Sequence, residues 1–426
     1  MKVDVWPSIL KGRVSAPGSK SDAQRMVACA LLAKGTSTIH HFPVSDDCEA
    51  ALQIAQDLGA VVIRNGDTIQ IKGGFPQAFL SGIRNAKEVI NCGESGLASR
   101  MFASIAALSA EPITVTGKNT LLKRPFMDLV DALRMCGVKV ESDRGLLPLH
   151  IQGPLKGGSL FVDASLSSQF LTGLLIALSR ATEPSVVLVK DLKSRPYIDL
   201  TMHVLSLFGA EIINHQYERF EITPRVWKGV ELSVPGDWSG GAFLLIAGAL
   251  CAEEGLLVDN LDESSPQADK AVLLALSSAG VRFTIEPNHI HVWQSEIQAF
   301  EFDATHCPDL FPPLAAMASF ANGVSIIKGV SRLTHKESNR AKTLQQEFAK
   351  AGIRIVLRDD EMKIYPAATR RSNLQSHNDH RIAMAGALLG LAGAHTTIVH
   401  AEAVSKSFPG FFSLIQSAGA RVTGAL

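Results

Sequence analysis

Apolar residues in this chain fall into two kinds of run that alternate along its length. Stretches such as FLTGLLIALS (170–179) and AFLLIAGALCA (242–252) are apolar on every side of a helical wheel. Others, such as FMDLVDALRMCG (126–137), keep their apolar residues to one stripe. The first kind predicts helices buried all round, and the second predicts helices that cover the outside of a bundle. The amphipathic kind repeats as ALQIAQDLGAVVI, LVDALRMCGVKV, LTMHVLSLFGAEII, AVLLALSSAGVRFTI, LQQEFAKAGIRIVL and FFSLIQSAGARVTG. In each, a Gly (59, 137, 209, 280, 352 or 419) ends the helical pattern where a left-handed residue is wanted. A β-branched run follows that reads as a strand. The glycines lie 67 to 78 residues apart, so the chain is six copies of one unit.

A second series runs at the same interval. A polar loop precedes each wholly apolar helix, beginning near Gly18-Ser19-Lys20-Ser21, Cys92-Gly93-Glu94-Ser95-Gly96 and Ser165-Leu166-Ser167-Ser168. The later three begin near Gly236-Asp237-Trp238-Ser239, Cys307-Pro308-Asp309 and Asn378-Asp379-His380-Arg381. One repeat is loop, helix, strand, second helix, Gly and strand, with a further strand between. This excludes a single Rossmann sheet and a simple solenoid. A buried helix still has four N-terminal amides to satisfy, and the polar loops supply partners for them. Helix N-termini attract anions, and Lys20, Arg25, Arg100, Arg124 and Arg381 add cations there. Small phosphorylated or carboxylated ligands are therefore expected. No GxxxxGK[ST] loop and no GxGxxG after a strand is present, so nucleotide binding lacks its usual signature.

Composition narrows this reading. The 426 residues are 46% hydrophobic and 19% charged, as in globular proteins of two or three domains. Lys+Arg and Asp+Glu balance at 41 each, which argues against a nucleic-acid-binding face. Met1–Trp6 lacks a secretion signal, and no apolar run is long enough to span a bilayer. Cys29, Cys48, Cys92, Cys136, Cys251 and Cys307 follow neither a disulfide nor a zinc pattern. A cytoplasmic α/β protein with reduced thiols is expected. Cys92 and Cys307 adjoin polar loops and read as small buried hydrophobes. His40 and His41, read as neighbours on one strand, would face opposite sides and so form no ligand pair. His380 reads as structural beneath Arg381, and His335 as a loop residue.

The polar loops carry the motifs PGSKSDAQR (17–25), CGESGLASR (92–100), LLKRPFMDLVDAL (121–133), SLSSQFLTGLL (165–175) and SRPYIDLT (194–201). They continue with CPDLFPPLA (307–315), HKESNR (335–340), NDHRIAMA (378–385) and SKSFPGFF (405–412). In this order and spacing the chain resembles EPSP synthase, the 3-phosphoshikimate 1-carboxyvinyltransferase family, from about Pro17 to Phe412. The resemblance implies the enolpyruvyl transferase fold, a two-domain inside-out α/β barrel with three βαβαββ-type repeats per domain. It implies domains at 20–236 and at 1–19 plus 237–426, with an active site in the cleft between them that closes on its substrates.

The resemblance also implies roles. Lys20, Ser21 and Arg25 match a motif that binds both substrates. Ser167, Ser168, Gln169, Ser194 and Tyr197 match the pocket for shikimate-3-phosphate, with Asp309 and Lys336 at its ring hydroxyls. Lys20, Gly96, Arg124, Gln169, Arg340, Arg381 and Lys406 match the phosphoenolpyruvate site. Planar arginine forks suit a ligand that carries both carboxylate and phosphate. The reaction needs an acid for C3 of phosphoenolpyruvate and a base for the attacking 5-hydroxyl. Asp309 is assigned as base and Glu337 as acid, with Lys20 or Lys406 assisting. Neither a metal nor an organic cofactor is required, and a monomer that binds no nucleic acid or membrane is expected.

Three departures from the family pattern stand out. Asn339 replaces an Asp before Arg340, Leu97-Ala98-Ser99 replace more polar residues, and Arg332 replaces an Asn. The first predicts an altered hold on Arg340. One alternative is the enolpyruvyl transferase acting on UDP-N-acetylglucosamine, which starts GxKN and has a Cys before the arginine matching Arg124. A second is a non-catalytic anion-binding relative, and a third an enzyme acting on another cyclic phosphate.

Overall fold

The computed structural model describes residues 1–75, 87–165, 167–334 and 336–424. Two compact units divide the chain: Lys20–Val234, and Met1–Ser19 together with Pro235–Leu426. Among the described residues each unit holds three four-stranded sheets built to one plan. In the second repeat, strand Val89–Asn91 leads into helix Gly96–Ala106 and returns as the parallel strand Ile113–Thr116. Helix Met127–Met135 then leads to Lys139–Asp143 and Leu146–Gln152, and the latter pairs antiparallel with both Ile113–Thr116 and Lys139–Asp143. This is a βαβαββ unit with one parallel and two antiparallel pairings.

The two helix classes behave as their patterning predicts. Every residue of Gly96–Ala106 is buried, as is nearly all of Trp238–Cys251 and His380–Ala392. Each buried Leu or Ile side chain contributes roughly 1.5–3 kcal/mol, which is ample to drive these helices together. The stripe helices end as expected. Gly59, Gly137, Gly209, Gly280, Gly352 and Gly419 all have φ between 71° and 110°. The amide after each glycine closes back five residues, as in Ala60 N to Ala55 O and Ile353 N to Phe348 O, both 2.9–3.0 Å. This is the Schellman closure, and it turns each outer helix directly into the next strand.

One rule of the plan is broken at a single place in each unit. Strand Gly12–Ser15 precedes helix Lys20–Leu32 in sequence but pairs in parallel with Leu256–Asp259. Strand Glu231–Ser233 precedes helix Trp238–Cys251 but pairs in parallel with Thr36–His40. The two connections meet where Gly18 and Gly236 form an isolated antiparallel bridge. Ser19 N donates to Pro235 O and Asp237 N to Pro17 O, both at 2.7 Å. A Cβ on Gly236 would lie 1.5 Å from the Asn260 carbonyl oxygen, so this approach requires glycine. Strand Lys2–Val5 lies between Thr396–Val399 and Val422–Gly424 and pairs antiparallel with both.

His41 departs from its sequence reading. The strand ends at His40, and His41 turns into the left-handed region at φ 54°. The opposed-faces argument therefore applies to neither ring as a pair.

Candidate active site

The polar residues singled out from the sequence gather at helix starts, in two groups in Lys20–Val234 and one in the other unit. In Lys20–Val234 the centre is Arg25, in the second turn of helix Lys20–Leu32 and 2% exposed. Its Nε donates to Thr201 Oγ1 at 2.9 Å and its guanidinium also reaches the Ser21 and Tyr197 carbonyls at 2.8 and 3.3 Å. Thr172 Oγ1, at 3.5 Å, completes the set. One buried cation thus joins three helix starts, those at Lys20, Gln169 and Arg195. Burial pulls its pKa down to about 10, which still leaves it charged at neutral pH. Lys20 Nζ pairs with Asp47 at 2.9 Å. Ser167 Oγ accepts the Gln169 amide at 3.2 Å, whereas Ser168 precedes the helix without capping it. Ser194, buried and left-handed at φ 55°, opens the helix that carries Tyr197.

A second group in this unit surrounds Gly96, the first residue of its helix. A Cβ there would lie 2.7 Å from Arg124 Nη1 and 3.4 Å from both Arg100 Nη1 and Gln169 Oε1. Arg100 donates to the Gly96 carbonyl at 3.1 Å, to Gln169 Oε1 at 3.4 Å and to the Pro125 carbonyl at 3.1 Å. Its guanidinium also stacks over Phe126 at 4.5 Å. Two guanidiniums, an amide and a helix N-terminus converge on a glycine. Such a site suits an anion that approaches the backbone closely.

The other unit holds a denser cluster. Arg340 opens helix Arg340–Lys350 and is fully buried. Its Nε and Nη2 grip both oxygens of Asp379 at 2.9 and 3.2 Å. Its Nη1 reaches Asp309 Oδ1 at 2.8 Å, and Nη2 reaches Glu337 Oε2 at 2.6 Å. Asp309 also accepts from Arg381 Nη2 at 3.1 Å and from Lys336 Nζ at 3.3 Å. Lys406 Nζ donates to the Asn378 carbonyl at 2.7 Å.

Electrostatics follow from this packing. Burial alone pushes the Asp309 carboxyl up, but Arg381, Lys336 and Arg340 together hold it well below the usual carboxylate range. Burial, aided by Arg340 and Arg332, lowers Lys336 against the opposing pull of Asp309 and Glu337. Arg340 is pushed up: Asp379, Glu337 and Asp309 outweigh its burial. Asp269 nearby behaves oppositely. Burial first, then the Asp309 charge, raise it to about 6 against the pull of Arg381. One Asp269 oxygen accepts from Ser239, and the other has no hydrogen-bond partner among the described residues. Buried ion clusters of this kind add little net stability, because desolvation offsets attraction. They do hold cations and carboxylates in fixed places.

The family model described as EPSP synthase (3-phosphoshikimate 1-carboxyvinyltransferase) matches residues 6–415. The chain belongs to the EPSP synthase family. It is 34% identical to the 3-phosphoshikimate 1-carboxyvinyltransferase of Clostridium kluyveri, covering 99% of this chain and 98% of that protein. Against the enzyme of the same name from Aeropyrum pernix the identity is 36%, covering 99% and 96%. Among solved structures, EPSP synthase from Acinetobacter baumannii superposes with a TM-score of 0.81 at 24% identity, covering 99% and 100%. The enolpyruvyl transferase NikO from Streptomyces tendae gives 0.76 at 17%, covering 99% and 98%. These two likenesses speak to the α/β fold.

Set against the EPSP synthase motifs, the structure adds residues that sequence reasoning did not assign. Asp47, Arg100 and Asp379 each hold a residue of the motif set. Arg100 sits one helical turn after Gly96, a spacing that places both on one face. Asp379 caps helix His380–Ala392 by accepting the Arg381 amide at 3.0 Å while its carboxylate grips Arg340. Its position before His-Arg at a helix start was the available signal.

Two of the departures have a place in local structure. Asn339 caps its helix by accepting the Lys342 amide at 3.3 Å. Arg340 is held by Asp379, Asp309 and Glu337. Leu97, Ala98 and Ser99 are buried within their helix, and Ser99 Oγ donates to the Gly96 carbonyl at 3.0 Å. His380 is buried beside Arg381. Leu166 and His335 lie outside the described residues. Among the described residues no helix is long and apolar enough to cross a membrane.

Proposed function

We propose that this chain transfers the enolpyruvyl group of phosphoenolpyruvate to the 5-hydroxyl of shikimate-3-phosphate, releasing phosphate. The observation that carries the reading is Asp309, a buried carboxylate shared by Arg340, Arg381 and Lys336 at 2.8, 3.1 and 3.3 Å. That arrangement supplies a base beside cations suited to a carboxylate and a phosphate. The relatives named 3-phosphoshikimate 1-carboxyvinyltransferase support the substrates.

In this reading Arg340, Arg381 and Lys406 hold phosphoenolpyruvate with Lys20, Gly96, Arg124 and Gln169. Shikimate-3-phosphate is taken by Lys20, Ser21, Arg25, Ser167, Ser168, Gln169, Ser194 and Tyr197, with Asp309 and Lys336 at its ring hydroxyls. In the structure Arg381, Lys336 and Arg340 hold Asp309 well below the usual carboxylate range. Binding an anionic substrate draws off part of the Arg340 and Arg381 charge, which lifts Asp309 toward a working base. Asp309 then accepts the 5-hydroxyl proton as oxygen attacks C2, while Glu337, which takes up a proton from solvent once the substrate anion has drawn Arg340 from it, passes that proton to C3. Departure of phosphate returns a C3 proton to a base and restores the vinyl ether. Lys20 or Lys406 stabilises charge on the departing phosphate. The protein acts as a monomer in the cytoplasm, where its six free and buried cysteines stay reduced.

The test is phosphate release from purified protein given phosphoenolpyruvate with shikimate-3-phosphate, and in parallel with UDP-N-acetylglucosamine. Release with shikimate-3-phosphate alone is expected, with Asp309→Ala losing turnover by roughly 10²–10⁴-fold. Release only with the sugar nucleotide overturns the acceptor, and near-normal turnover in Asp309→Ala overturns the base.

A further inference from the structure

Helix Arg340–Lys350 meets the loop before helix His380–Ala392 at two places. The first is the Arg340–Asp379 pair already described. The second is Glu347, seven residues on, which brings it back to the same helix face. Its carboxylate is 3% exposed, a burial that a Glu keeps only when it is paired. It accepts the Gln375 amide at 2.8 Å, His377 Nε2 at 2.7 Å and Lys350 Nζ at 2.6 Å. Burial pushes this carboxyl up, but those three donors outweigh it and hold it below the usual range. Glu347 is therefore an anion fixed against the loop at 375–379.

That loop has a conformation it would not keep unaided. His377 and Asn378 are consecutive left-handed residues, at φ 53° and 58°. Side chains other than glycine adopt that region at a cost, and persist there only when neighbours over-determine them. The loop has a second support in Ser376, whose hydroxyl donates to the His400 carbonyl at 2.8 Å and accepts the Asn378 amide at 3.1 Å. Directly after this bend come the Asn378 carbonyl, which takes Lys406, and the Asp379 carboxylate, which takes Arg340.

We infer that Glu347 is a positioning residue: by clamping Gln375 and His377 it sets the bend that places Asn378 and Asp379, and through them Lys406 and Arg340. This rests on the proposed assignment of those two cations to phosphoenolpyruvate. The roles are separable because Glu347 touches neither cation itself.

The experiment compares wild type with Glu347→Ala, Glu347→Gln and Phe348→Leu. Phe348, 1% exposed on the same helix, controls for destabilisation without loss of the clamp. Expected for Glu347→Ala is a rise of tenfold or more in KM for phosphoenolpyruvate, with KM for shikimate-3-phosphate changed less than threefold. Glu347→Gln, which still accepts the Gln375 amide, should recover most of the loss. Phe348→Leu should lower the thermal midpoint without that split. Hydrogen exchange on the same proteins should show amides 375–379 faster in Glu347→Ala alone. Unchanged KM and unchanged exchange in Glu347→Ala overturn the inference, as does the same KM split in Phe348→Leu. A wild type that releases no phosphate would overturn the assigned reaction, while the exchange comparison would still decide the role of Glu347.

Discussion

Replacing Gly96 with Ala should weaken phosphoenolpyruvate binding while leaving the protein as stable or more so. The new Cβ would lie 2.7 Å from Arg124 Nη1, and the ordinary contact range begins at 3.4 Å. The backbone here is the first turn of a buried helix and cannot retreat, so the guanidinium must move by 0.7 Å, the difference between 3.4 and 2.7 Å. Displacements of that size at a positioned charge cost on the order of 10²-fold. Put differently, a charge-assisted hydrogen bond contributes roughly 1.5–3 kcal/mol, and each ~1.4 kcal/mol is tenfold. KM for phosphoenolpyruvate should rise by about 10- to 100-fold. Stability should move the other way, because alanine is favoured over glycine in a helix by roughly 0.5–1 kcal/mol. Phosphate release against phosphoenolpyruvate concentration, with a thermal melt of the same preparations, reads both signs. An unchanged KM, or a KM rise accompanied by a clear fall in melting temperature, would refute the steric argument. Adding Arg124→Lys on top of Gly96→Ala should then cost much less than Arg124→Lys alone, since both changes act on one contact.

Three further outcomes follow from the same geometry. Asp269, raised to about 6, favours the folded state fully below its unfolded value near 4 and loses that contribution as pH rises through 6. Asp269→Asn should remove a fall in unfolding free energy on the order of 3 kcal/mol between pH 4 and 7, measured by urea titration at each pH; parallel pH curves for the two proteins would contradict this. Asn339→Ala should cost about 1 kcal/mol through the lost cap, whereas Asn339→Asp keeps the cap and gains a favourable charge, leaving kcat/KM within about twofold. Burial raises Cys29 and Cys92 beyond any working pH and Cys48 and Cys251 to about 12, so a disulfide reagent at pH 8 should find the native thiols inert and all six reactive after denaturation.

The six glycines at helix ends were legible because each reports a purely local need, a left-handed residue where a helix turns into a strand. The buried helices were legible because residues such as Phe243 and Leu245 leave no polar face for solvent. The exchange of Gly12–Ser15 and Glu231–Ser233 was not legible in their own residues. Both are short, half-exposed strands ahead of a Gly-containing turn, and their pairing is decided by backbone partners some hundreds of residues away. At the site, Arg340 and Asp309 were readable as motif members at helix starts. Their mutual contact, and the grip of Asp379 on Arg340, depend on how two repeats pack. Arg100 was noticed as a cation but not as the group that joins Gly96, Gln169 and Pro125. Its reach depends on rotamers, and local pattern does not encode them.

The place of strand Lys2–Val5 has a consequence for biosynthesis. Its cross-strand partner Thr397 lies 393 positions after Asp4. At about 5–20 residues per second, a ribosome needs roughly 20–80 s between making the two. Throughout that interval Lys2–Val5 is a strand without a sheet, and Gly12–Ser15 is one until Leu256–Asp259 has been made, while helices and sheets of Lys20–Val234 have what they need to form. The earliest-made strand is therefore among the last to be incorporated, and the sheet that receives Lys2–Val5 is completed only when Val422–Gly424 is available.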